Sequence, residues 1–142
     1  MIVHYFFIYI FLFFGLLSTS AAQGVSVHIP AVPVEVTQLH QPVWVKLQLS
    51  SQHIQPEQTQ RLKNVLLTVH WQHPAQLRIA LCDAQRKNCH QADSSGRLWG
   101  SFFTDQRLDQ PLWLQVVAQS WQGGYPPVYA RAELVLWPQP LK

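Results

Sequence analysis

The stretch QLRIALCDAQRKNC, residues 76–89, decides the fold. Its first half alternates. Leu77, Ile79 and Leu81 share one face and Arg78 and Ala80 take the other, the period-two pattern of a half-buried strand. A polar segment over 83–88 follows and ends at the second of the chain's 2 cysteines. A strand that turns back on itself there brings Cys82 and Cys89 together. The expectation is a disulfide that pins a hairpin, contributing about 2–3 kcal/mol in the chain-entropy account. A zinc site is the competing use of two cysteines, but His90 is the only histidine beside them and the ligand set is incomplete. No metal and no cofactor is expected.

Upstream of this stretch, residues 63–71 form the strongest strand pattern. Val65, Leu67, Val69 and Trp71 lie on one face, and Leu66, Thr68 and His70 on the other. Both faces are fairly apolar, which fits a central strand. Residues 43–49 alternate more simply, with Val43, Val45, Leu47 and Leu49 opposite Trp44, Lys46 and Gln48. Residues 24–37 are apolar but broken by Pro30 and Pro33, whose missing amide donors suit an edge strand or an irregular pair of short strands. Residues 50–60 are polar, and Pro56 followed by Glu57 predicts a helical turn over 56–61.

Downstream, residues 97–103 return to apolar sequence around Gly100, where a bulge or a close backbone contact is expected. Residues 112–119 form a strand with two partly apolar faces. The Gly123-Gly124 pair marks a turn, and Pro126-Pro127 stiffens its exit. Residues 129–137 close the chain, with Ala130, Ala132, Leu134 and Leu136 on one face. Six or seven short strands and almost no helical period predict an all-β fold. Its simplest form is a small antiparallel β-sandwich with one hairpin disulfide, with a small β-barrel as the alternative.

The first residues address the compartment. Residues 2–17 are one apolar run, and Ser20 and Ala22 suit a signal-peptidase cut before Gln23. Residues 1–22 are therefore read as a signal peptide and 23–142 as a single all-β domain. Export to the periplasm supplies the oxidising surroundings a structural disulfide needs, and no membrane span is expected once the signal is cleaved.

The net charge of +3 is small and scattered, without the basic patch and aromatic platforms of a nucleic-acid binder. No nucleophile elbow is present, and no serine, histidine and carboxylate form a local trio. The 7 acids fall mainly in polar connections. No catalytic residue is assigned, and a non-enzymatic protein is expected. The 6 tryptophans are many for the length. Core packing accounts for Trp71 and at least one more. Trp44, Trp113 and Trp137 fall opposite or beside core faces. The candidate protein contacts are Trp121, Tyr125 and Tyr129, in the glycine- and proline-rich loop, together with Trp44 and Trp113.

The ordered features resemble a known family. The segment Leu77-Arg78-Ile79-Ala80-Leu81-Cys82, the nearby Cys89, and the later Gly123, Gly124 and Pro126 resemble the small periplasmic flagellar accessory proteins of the FlhE family. The resemblance runs over 65–137. It implies a non-enzymatic periplasmic protein for flagellar assembly or gating of the flagellar export apparatus, with an exported or envelope protein as partner. The alternative is a fimbrial or adhesin-type subunit, or a chaperone-like sandwich, in which residues 25–36 serve as a donor strand.

Overall fold

The structure, a computed structural model, describes residues 26–49, 61–72 and 74–139. The signal segment, residues 56–60 of the turn expected over 56–61, and His73 lie outside these. Eight strands follow in order: β1 (Val27–Val36), β2 (Val43–Leu47), β3 (Leu62–Trp71), β4 (Gln76–Cys82), β5 (Cys89–Gln91), β6 (Arg97–Gly100), β7 (Leu112–Ser120) and β8 (Val128–Pro138). They form two open four-stranded antiparallel sheets, β1-β8-β3-β6 and β2-β7-β4-β5. The fold is the expected sandwich rather than a barrel. The strand beyond the expected six or seven is β5, three residues too short to carry a visible period.

Alternation decides which side chains meet between the sheets. Val65, Leu67 and Val69 of β3 and Ala130, Ala132, Leu134 and Leu136 of β8 are buried from one side. Ile79 and Leu81 of β4 and Leu112, Leu114, Val116 and Ala118 of β7 are buried from the other. Burial of each large aliphatic contributes about 1.5–3 kcal/mol. A one-residue slip in any of these strands would turn its whole apolar set to water, so the register is strongly fixed. The central strands are β8 and β3 in one sheet and β7 and β4 in the other.

The sheet edges are short or irregular, which limits pairing with other chains. β5 and β6 have three and four residues. β1 is long, but Pro30 and Pro33 interrupt its donors and its pairing with β8 shifts between Ile29 and Val32. One continuous but bulged edge strand therefore stands where the sequence left a choice between an edge and two pieces.

The disulfide is present. Cys82 and Cys89 are opposed residues of β4 and β5, with Cα atoms 4.0 Å apart. Beyond β5 the chain crosses to the other sheet through a turn at Asp93–Gly96, closed by Gly96 N–H donating to the Asp93 carbonyl (3.0 Å). Gly96 has φ 83°, and a Cβ there would stand 2.5 Å from the Val69 carbonyl oxygen, so only glycine fits. Gly100 instead admits the Phe102 ring, which would lie 2.6 Å from a Cβ. The contact there is with a side chain and not with the backbone expected.

Candidate functional site

The residues with the most unusual surroundings sit in the disulfide-closed loop. Asp83 holds it. Its two carboxylate oxygens accept from Lys87 N–H (2.8 Å) and Asn88 Nδ2 (3.0 Å), while Arg86 N–H donates to its carbonyl (3.0 Å). Arg86 itself has φ 58°, in the left-handed region that glycine or asparagine usually fills. The loop folds its side chain back over the outer face of the β2-β7-β4-β5 sheet. There the guanidinium carbon lies 3.8 Å from the Trp113 ring centroid and 4.7 Å from that of Trp44.

The strand register explains why the two rings meet one cation. Trp44 is opposite Gln115 and Trp113 is opposite Lys46, so the rings are diagonal neighbours on one face. Cys82 is opposite Trp113 on its other side, which places the loop root beside that ring. Cation–π contacts of this kind contribute about 0.5–1 kcal/mol each at exposed sites. Two of the five candidate contacts, Trp44 and Trp113, are thus brought together, with Arg86 between them.

The other three candidates are divided. Gln122 and Gly123 have φ 51° and 83°, and Gly124 N–H donates to the Trp121 carbonyl (2.9 Å), a turn of the I′ kind. This turn packs Trp121 against the core. Tyr125 and Tyr129 stand outward, 84% and 65% exposed. Tyr129 lines a hollow of about 560 Å³ with His70, Trp71, Gln72, Pro127 and Arg131. Tyr129 falls at the start of β8, on the opposite sheet from Trp44 and Trp113, while Tyr125 stays in the connection between β7 and β8.

A second aromatic pair was not singled out from the sequence. Trp99 and Trp137 meet edge to face at 4.9 Å between centroids on the outer face of the β1-β8-β3-β6 sheet. Trp99 is 57% exposed. Its outward direction follows from alternation with buried Leu98, but so short a strand gives alternation little weight.

His90, the histidine beside the cysteines, stacks on Phe102 at 4.4 Å and meets Phe103 edge-on at 5.5 Å. Among the described residues no three His, Cys, Asp or Glu side chains gather as a metal set. Gln106, buried near this cluster, is satisfied by Ala84 N–H and the Pro111 carbonyl. It braces the disulfide loop against the segment before β7. Asp93 accepts from Ser95 Oγ (2.6 Å), Ser95 N–H (2.9 Å) and Arg97 N–H (3.0 Å). These bonds, the Ser95 hydroxyl foremost, hold its carboxyl below the usual range. No helix among the described residues is long and apolar enough to cross a membrane.

No family model and no curated protein sequence matches the chain. Among solved structures it is similar to the crystal structure of FlhE, at TM-score 0.58 and 17% identity, over 80% of this chain and 94% of that one. Both the two-sheet sandwich and the resemblance read from the cysteine hairpin and the glycine turn are upheld at the level of fold: the chain has the FlhE fold.

Proposed function

We propose that this chain is an exported, non-enzymatic accessory protein of the cell envelope that binds a protein partner, with flagellar assembly or gating of flagellar export as its setting. One observation carries the reading. The likeness to FlhE extends over 94% of that chain, so nearly all of FlhE has a counterpart here. The disulfide supports an oxidising compartment such as the periplasm. The domain is taken to begin after a signal peptide over residues 1–22. Its chemistry is that of a surface: outward rings and cations on rigid strands, which are suited to recognition.

The fimbrial alternative requires the first strand to be exchanged between subunits. Here β1 pairs along most of its length with β8 of its own chain, which favours a self-contained domain. Deleting the gene tests the proposal. The expected result is altered flagellar assembly or motility with normal fimbriae, restored by the intact chain. Normal flagella with lost fimbriae would overturn it.

A further inference from the structure

We propose that the outer face of the β2-β7-β4-β5 sheet docks an acidic protein segment, with Arg86, Lys46 and Arg78 as its anchors. The inference rests on the protein-binding reading above and supplies the chemistry of the partner.

The four strands of this sheet contain no aspartate or glutamate. Their outward positions instead carry Lys46, Arg78, Gln115 and the two tryptophans. The opposite sheet differs, because its strands include Glu35 and Glu133. Lys46, Arg78 and Arg86 are all exposed, and among the described residues none of them pairs with a carboxylate. The nearest acid of the loop, Asp83, is turned into its own backbone and Asn88. The face is therefore positive, with no internal partner for its charge.

Arg86 gives this face its direction. Arg86 has φ 58°, a left-handed backbone that costs a residue with a long side chain about 1–2 kcal/mol. Contact with Trp113 and Trp44 holds the guanidinium over the two rings. An arginine so held loses less freedom when its N–H edge takes up a carboxylate, and that edge is matched to bidentate binding. The same stacking covers a ring face that a sugar would need, which favours a protein carboxylate over a glycan. Lys46 on β2 is opposite Trp113 and Arg78 on β4 is opposite Val117, so they flank β7 two outward rows apart, about 14 Å along the strands. An extended peptide with acids at alternate positions has side chains four residues apart on one face that reach over this length.

The test uses the purified exported protein and a labelled extended peptide carrying glutamate at alternate positions, read by fluorescence anisotropy. Expected are saturable binding, weakening as salt rises from about 0.05 to about 0.3 M, and no binding of the same peptide with glutamine for glutamate. The double variant Lys46→Glu/Arg78→Glu, and separately Arg86→Ala, should each lower affinity about tenfold or more. Thermal melting checks that both remain folded, and Arg78→Gln provides a milder variant should the double reversal not fold. Affinity unchanged in Arg86→Ala and Arg78→Gln would overturn the proposal, as would tighter binding of a uronic-acid oligosaccharide than of the peptide. These readings are separate from motility. A deletion without flagellar effect would overturn the setting and leave the peptide affinities as they are.

Discussion

The guanidinium of Arg86 lies 3.8 Å from the centre of the Trp113 ring, held there by a loop whose two ends are joined as Cys82 and Cys89. Stability and surface are coupled through this contact. Removing the disulfide, as Cys82→Ser/Cys89→Ser, should cost about 2–3 kcal/mol by urea denaturation. It should also change tryptophan fluorescence, because the cation leaves the ring as the loop loosens. The backbone at Arg86 allows a finer separation. Arg86→Ala loses the cation–π contact and keeps the left-handed strain, whereas Arg86→Gly loses the contact and relieves the strain. The glycine variant should therefore be more stable than the alanine variant by about 1 kcal/mol. Equal stabilities would show that this backbone conformation carries no cost.

Two glycines with the same φ should respond differently to alanine. Gly96 and Gly123 both have φ 83°. A Cβ at Gly96 meets the Val69 carbonyl oxygen at 2.5 Å and the Trp71 ring at 2.9 Å, while nothing lies within 4 Å of one at Gly123. Gly123→Ala carries only the left-handed penalty, about 1 kcal/mol. Gly96→Ala adds a clash with backbone that is itself bonded, since Val69 N–H donates to the Gly96 carbonyl. A loss well above about 2 kcal/mol is expected, read as the difference in denaturation midpoints.

The turn that crosses between the sheets should open in acid. The Asp93 carboxyl is held below its usual range, first by the Ser95 hydroxyl and then by backbone N–H donors. A lowered folded-state pKa means that the carboxylate's contribution is present above the ordinary aspartate range. It is lost as the pH falls through the lowered value, below about pH 4. Amide-exchange protection at Ser95 and Arg97 should fall in that window, and Asp93→Asn should abolish the pH dependence. Protection independent of pH in the native chain would contradict this account.

The sandwich was legible in the sequence because its central strands are long and alternate. The inward set of β8, Ala130 through Leu136, is the one read from period two. The hairpin was legible because two cysteines in an alternating strand and its return leave few geometries. Other features were hidden for physical reasons. β5 is shorter than one period can reveal. Arg86 occupies a conformation its residue type does not signal, so its place over Trp113 depends on a turn that only the backbone shows. Trp121 and Tyr125 sit four residues apart in a non-periodic loop, where nothing in the sequence tells an inward ring from an outward one.

That division of the loop yields the last prediction. Trp121 packs against the core, so Trp121→Ala should destabilise the domain by about 2 kcal/mol, below the range for a fully buried tryptophan because the ring is only half buried. Tyr125 of the same loop and Tyr129 at the start of β8 are exposed, so Tyr125→Ala and Tyr129→Ala should each shift stability by less than about 0.5 kcal/mol. If this loop contacts the partner, the two tyrosine variants together should fold normally and fail to complement the gene deletion. Rigid rings with polar tips give up little freedom on binding, so their loss would fall on affinity rather than on folding. Full complementation by the double tyrosine variant would remove the loop from the interface and leave the face around Arg86 as the place to look. Unfolding of that variant would mean that the tyrosines support the hollow beside His70 and Arg131 more than their exposure indicates.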